Sequence, residues 1–346
     1  MQDLHHGQEI YSFFYSFGKY GILGIIVSSI LLGIIIYKTL IISKKYNLNN
    51  YNELLDKIIN NQKIKKIIKI IINIFLISSF YIMIAGFSAY FHQEYDINKI
   101  ISSLFLVILC YFTFNKNAEK IIEINTILIP IIIIIFIIFG INNINKIENQ
   151  NILEKNNNLL WIISAVIYTS YNSITLIGLT GIMSKHLKNK RNCIEVAILT
   201  SIIIMSLGII IYLLLINMDK QVEIPMLYIA NKFGGIYKYL YSITILIAIF
   251  TTAISEGYNF LENISKNNKK IYKTINAIMC ILAVPISLLG FANLVNVIYP
   301  IFGIIGIIQI ISILFHRWFF RRTWNYTFFI HIIVQNLYIP NKRYLG

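Results

Sequence analysis

Residues 161–183 read WIISAVIYTSYNSITLIGLTGIM, twenty-three residues without a charge. As a helix rising 1.5 Å per residue, this stretch covers about 35 Å, enough to cross the ~30 Å hydrocarbon core of a bilayer. Its centre is not apolar. Tyr168, Thr169, Ser170, Tyr171, Asn172 and Ser173 put six polar-capable side chains in a row at mid-depth, with Gly178 and Gly181 beyond. Two structures suit that composition. In one the helix is broken, and the break lines a cavity holding a solute or ion, because irregular backbone survives at membrane depth only where it lines a cavity or is buried in protein. In the other the helix is continuous, and its polar side chains bond to carbonyls one turn back or to neighbouring helices.

Eight more apolar stretches lie near residues 20–42, 67–90, 99–114, 121–140, 193–216, 236–261, 271–290 and 294–315. Most reach the ~20 residues a spanning helix needs, and 99–114 is short. The chain therefore reads as an all-α polytopic membrane bundle of about nine spans. Of its 30 Lys and Arg residues, 23 fall in alternate gaps and helix ends, and seven (Lys19, Lys99, Lys146, Lys155, Lys220, Lys232, Lys238) fall in the others. By the positive-inside bias the richer side is cytoplasmic, which puts the N-terminus outside and the C-terminus inside. Residues 1–322 form a single transmembrane domain on this reading, and 323–346 a cytoplasmic or interfacial tail.

Composition removes other classes. With 57% hydrophobic and 13% charged residues, the 346-residue chain has too little polar surface for a soluble domain. The net charge of +15 is spread over separate loops and sorted by side, which points to topology and anionic headgroups, not nucleic acid. Cys110, Cys193 and Cys280 sit in different stretches without metal spacing. No nucleotide loop, dinucleotide fingerprint or HExxH is present, so no enzyme, cofactor or bound metal is expected.

Several polar positions carry candidate chemistry. Gly7, Gln8 and Glu9 open GQEIYSFFYSFGKYG, a stub about half a helix long; Glu9 is either a site carboxylate or a helix-dipole charge. Thr251, Thr252 and Ser255, in AIFTTAISEGYNFLENI, fall within about one turn and offer hard oxygens for a Na⁺-like cation, or else small residues for packing. Glu256 is an interfacial carboxylate near Lys266 or an intramembrane proton carrier. Between stretches, Leu54, Leu55, Ile58 and Ile59 suit an amphipathic helix on the membrane surface. In EIPMLYIANKFGG, Pro225 suits the first turn of a short helix and Gly234-Gly235 its end. Five stretches follow residue 159, and four plus the stub precede it, the count expected of an inverted repeat.

These strings, with IMIAGFSAYF, SYNSITLIGLTGIMSKHLKNK and VNVIYPIFGIIGI, resemble the YkvI-like bacterial membrane proteins, related to the amino acid–polyamine–organocation transporter superfamily. The resemblance runs from about Gly7 to Phe315. It implies a LeuT-type fold of two inverted five-helix repeats, with breaks in the first and sixth helices. Carried onto this chain, it implies a solute site from Gly7, Gln8, Glu9, Tyr168, Ser170, Tyr171 and Asn172, and hydroxyl ligands for a coupling cation from Thr251, Thr252 and Ser255. The implied function is secondary transport of a small organic solute, an amino acid for example, across the bacterial inner membrane, coupled to Na⁺ or H⁺. The rival is a non-transporting membrane partner or sporulation-linked scaffold, or an inactive truncated homologue. Where the family carries an apolar half-helix and a stretch like GAGFASGQE, this chain reads MQDLHHGQE, so the first half-helix is expected to be missing.

Overall fold

The computed structural model describes residues 7–48, 51–59, 61–115, 118–144, 159–184, 189–216, 221–265 and 268–315, with Leu187 and Met218. The expectations for residues 1–6, Lys266 and the 323–346 tail lie outside them. Among the described residues every regular element is helical. In chain order these are α1 (Gln8–Phe13), a 3₁₀ turn (Tyr15–Phe17), α2 (Lys19–Tyr46), α3 (Tyr51–Ile58), α4 (Gln62–Tyr95), α5 (Lys99–Phe114), α6 (Ala118–Ile144), α7 (Leu160–Ser184), α8 (Lys190–Leu215), α9 (Pro225–Phe233), α10 (Gly235–Ser265), α11 (Lys269–Ser287) and α12 (Phe291–Leu314). All nine apolar stretches are thus helical. Among the described residues seven helices, in α2, α4, α6, α8, α10, α11 and α12, are long and apolar enough to cross a membrane, whereas α5 has 16 residues. The side chains of 175–183 in α7 lie outside the described residues.

The asparagines of the loops do local work. Asn61, Asn98 and Asn268 each cap a helix by accepting from backbone N–H groups two or three residues on, satisfying donors the first turn leaves open. Asn47 and Asp96 close α2 and α4 in left-handed conformation, which their short polar side chains tolerate. Pro130, Pro285 and Pro300 are carried inside α6, α11 and α12.

The helices pack in a self-similar way. α2 packs on α8, α4 on α10 and α5 on α11. Exchanging α2, α4, α5 and α6 for α8, α10, α11 and α12 turns α4–α5 into α10–α11, α4–α11 into α10–α5, α6–α8 into α12–α2, and α6–α10 into α12–α4, all of them observed contacts. Paired helices run in opposite directions: Glu94 near the end of α4 meets Lys238 near the start of α10 at 3.0 Å, and Tyr272 near the start of α11 donates to the carbonyl of Phe114, the last residue of α5, at 2.9 Å.

Short helices close the two ends. α3 forms where the Leu/Ile pattern predicts a helix, and its apolar face turns toward the bundle: Leu54, Leu55, Ile58 and Ile59 are buried, and α3 packs on α4 and α7. Asp56 on its outer side pairs with Lys65 (3.1 Å) and Lys69 (3.4 Å). Partial desolvation pulls the Asp56 carboxyl upward, but the two lysines together outweigh it and hold its pKa below the usual value. At the other end α9 begins at Pro225 and stops at Gly234 (φ 64°), as its sequence predicts. Polar contacts fasten it on all sides. Gln93 accepts from the Ile224 N–H (3.3 Å) and donates to the Ile224 carbonyl (3.5 Å), Glu94 accepts from Asn231, and Glu223 pairs with Lys99 while accepting from the Phe291 N–H (3.0 Å).

Candidate functional site

α1 is a six-residue helix wedged among α7, α8, α9 and α12. Its N-cap, Gly7, has φ 74°, and a Cβ there would stand 2.5 Å from the Met226 side chain on α9. Only glycine avoids both the strained conformation and the clash. The chain then rises through Phe13, Phe14 and the 3₁₀ turn before reversing into α2. Two hydroxyls from other helices satisfy the turn's carbonyls: Ser164 donates to Phe13 O (2.6 Å) and Tyr212 to Gly18 O (2.5 Å).

This seating puts Gln8 and Glu9 deep in the bundle, 3% and 2% exposed. The Tyr171 hydroxyl donates to Glu9 Oε2. Tyr171 lies eleven residues into α7, about 16 Å along its axis, so this contact is near mid-depth. Gln8 Nε2 donates to Asn296 Oδ1 on α12 (3.3 Å), and the Ser12 hydroxyl lies 2.5 Å from the same oxygen and 2.7 Å from Gln8 O. Aromatic rings wall the cluster. Phe13 (centroids 5.5 Å apart) and Tyr299 (4.7 Å) both stack on Tyr171, while Tyr168 meets Tyr171 edge-on (5.4 Å). α12 reaches α7 this closely because Gly303 and Gly306 face its backbone. A Cβ at either position would stand 2.7 Å from the carbonyl oxygen of Ile167 or Ser170.

Sequence reading and structure meet unevenly here. Gly7, Gln8, Glu9, Tyr168 and Tyr171 are brought together. The break implied at 168–173 is not formed, because α7 runs unbroken from Leu160 to Ser184. Its polar groups bond along their own helix: Thr169 donates to Ala165 O (2.7 Å), Ser170 to Val166 O (2.7 Å), Asn172 to Tyr168 O (3.1 Å) and Ser173 to Ser170 O (2.7 Å). With those groups satisfied and the backbone ladder intact, nothing drives unwinding. Ser170 and Asn172 are buried on the same helix as Tyr171.

The three hydroxyls of α10 behave similarly. Thr251 donates to Ala248 O (3.0 Å) and Ser255 to Thr251 O (2.7 Å), whereas Thr252 Oγ1 is buried with no hydrogen-bond partner among the described residues. α10 packs on α4, α5, α6, α9 and α11. Glu256, further along α10, is 7% exposed.

Ser12, Phe13, Asn296 and Tyr299 belong to the cluster and were not singled out by sequence reasoning as site residues. A signal existed for Asn296: with Asn293 and Gln309 it is one of three amide side chains in an otherwise apolar helix.

No family model matches the chain. Over 296 residues, covering 83% of this chain and 84% of the other, it is 24% identical to the uncharacterized membrane protein YkvI of Bacillus subtilis (strain 168). With seven helices able to cross a membrane, that likeness supports a multi-pass membrane protein similar to YkvI.

Proposed function

We propose that the chain is a secondary transporter of a small organic solute in the bacterial inner membrane, built as two inverted five-helix repeats and driven by a Na⁺ or H⁺ gradient. The observation that carries this reading is the polar cluster Gln8–Glu9–Ser12–Tyr171–Asn296, held by three helices at mid-depth. Buried ionisable and amide groups at that depth are expensive and mark solute or ion pathways. The self-similar antiparallel packing supports the repeat: α1 corresponds to α7, and α3 to α9, whose contacts with α7 and α1 mirror each other. Transporters of this architecture bind at the repeat interface and rock one group of helices against the other. The lysine-rich α3 end is cytoplasmic on this reading and the α9 end faces outward.

The test uses the full chain in proteoliposomes bearing an imposed Na⁺ or proton gradient, screened for net uptake of mixed radiolabelled amino acids and amines. Gradient-dependent uptake that Glu9→Gln reduces at least tenfold is expected. Folded protein that moves none of these solutes under either gradient would mean that the cluster serves packing, as in a scaffold protein.

A further inference from the structure

We infer that the start of α4 is a docking surface for an anionic phospholipid, its phosphate held by Lys63 and Lys66 and an acyl chain laid along Ile67, Ile70 and Ile74. The surface exists because α5 is short. α4 and α5 run antiparallel, with Phe87 stacked on Phe105 (centroids 6.1 Å apart) and Phe80 against Phe114 (5.9 Å). Phe114 is the last residue of α5, so α5 stops level with Phe80. At 1.5 Å per residue, Ile74 lies about 9 Å and Ile67 about 20 Å nearer the start of α4, beyond the reach of α5. Ile67, Ile70 and Ile74 are accordingly 56%, 51% and 50% exposed. With the exposed Lys63 and Lys66 they follow the i, i+3, i+4, i+7, i+11 spacing of one helix face. That face is cationic at its end and apolar along its length.

Charge selects the head of the lipid. Residues 62–74 contain four lysines and no acid. Lys65 and Lys69 pair with Asp56 on α3, whereas Lys63 and Lys66 have no ion-pair partner among the described residues. Of the other described acids at this end, Glu262 on α10 is half-buried and hydrogen-bonds Tyr258, and Glu53 is half-buried on α3. α11 begins beside the end of α5, where Tyr272 donates to the Phe114 carbonyl, and it adds the exposed Lys269, Lys270 and Lys273. Lysine stems lie on apolar surface while their ammonium groups reach a headgroup. A zwitterionic lipid carries its own cation beside the phosphate, so a head of net negative charge gains more from these lysines. A free anion would leave the isoleucines uncovered. A second copy, packed through the same face, would bring like charges together.

The experiment uses the purified full chain in a neutral detergent. Thermal unfolding is followed against mixed micelles containing phosphatidylglycerol, with phosphatidylcholine and soluble glycerol phosphate as controls. The expected result is a saturable rise in Tm with phosphatidylglycerol alone. Lys63→Gln with Lys66→Gln should weaken its apparent affinity at least fivefold. Lys45→Gln with Lys190→Gln, which removes the same charge elsewhere at this end, should weaken it less than twofold. A second measurement needs no variant: phosphatidylglycerol with a photoreactive acyl chain should label residues 67–74, read by peptide mass spectrometry, and unlabelled phosphatidylglycerol should compete. Equal stabilisation by phosphatidylcholine or by glycerol phosphate, equal weakening by the two lysine pairs, or labelling that avoids 67–74 overturns the assignment. So does a dimer whose formation shields 67–74 from the label, since a second copy would then cover the face.

Discussion

Gln8 and Ser12 of α1 reach Asn296 of α12, and Tyr171 of α7 reaches Glu9, across helix boundaries, whereas Thr251 and Ser255 of α10 turn back onto their own backbone. Gln8 meets Asn296 and Glu9 meets Tyr171, both pairs far apart in sequence. Thr251, which is buried, and Ser255, which is half-buried, bond within four residues. The difference lies in what each helix faces. Gln8 and Glu9 open a six-residue α1 flanked by Asn296 and Tyr171. α10 is 31 residues long, and Thr251 and Ser255 find carbonyls about one turn away. Sequence spacing identifies polar groups at depth, but only a neighbouring helix makes them a site.

That contrast can be broken experimentally. The largest effect is expected from Gly306→Leu. The new side chain meets the Ser170 carbonyl and pries α12 from α7, at a cost at or above the upper end of the ~1–3 kcal/mol typical of overpacking. A lowered Tm and a broadened size-exclusion profile would register it; an unchanged profile would mean the seam is not close-packed. Tyr171→Phe removes the donor to Glu9 and should cost about 1–3 kcal/mol in reversible unfolding, the price of desolvating an acceptor that loses its partner. Asn296→Ala should cost about 1 kcal/mol and show coupling with Gln8→Ala in a double-mutant cycle, while Thr251→Ala and Ser255→Ala stay within about 0.5 kcal/mol. Equal losses at the two places would erase the distinction.

Thr252→Val should be neutral or slightly stabilising, because it deletes a buried hydroxyl that lacks a hydrogen-bond partner among the described residues. If Tm rises with Na⁺ in wild type and this substitution abolishes the rise, α10 holds a cation after all. The smallest effect is at Asp56. Its pKa lies below the unfolded value, so the contribution of the Lys65 and Lys69 pairs is fully present above an unfolded pKa of about 3.9. It is lost as pH falls through the folded pKa, and Asp56→Asn should flatten that part of the stability profile. An unaltered profile would show that these half-exposed pairs contribute nothing, as many surface pairs do.

Much of the fold was legible because each stretch carries its own instruction. Residues 20–42 and 294–315 are apolar over a full span, and such a segment satisfies its backbone only as a helix. Pro225 and Gly234 bound α9 by local geometry alone. The site was half legible. Gly7, Gln8, Glu9 and Tyr171 could be named from composition and resemblance, but Ser12 and Asn296 gained meaning only through each other. The α7 break implied by the resemblance does not form: a run of polar residues supports either unwinding or back-bonding, and the choice depends on whether neighbours offer something better than the helix's own carbonyls.

By itself, then, the sequence determined helices, their lengths and the polar positions within them, since hydrophobicity, capping and chain stiffness act over a few residues. Tertiary structure decided which polar groups meet. It turned Leu54, Leu55, Ile58 and Ile59 inward onto α4 and α7, let Gly303 and Gly306 bring α12 against α7, and so delivered Asn296 to Gln8 and Tyr171 to Glu9. Those contacts join residues more than a hundred positions apart, and no periodicity along one helix encodes its partner. Packing in three dimensions selects that partner, through close approach and the cost of leaving a buried polar group unmatched.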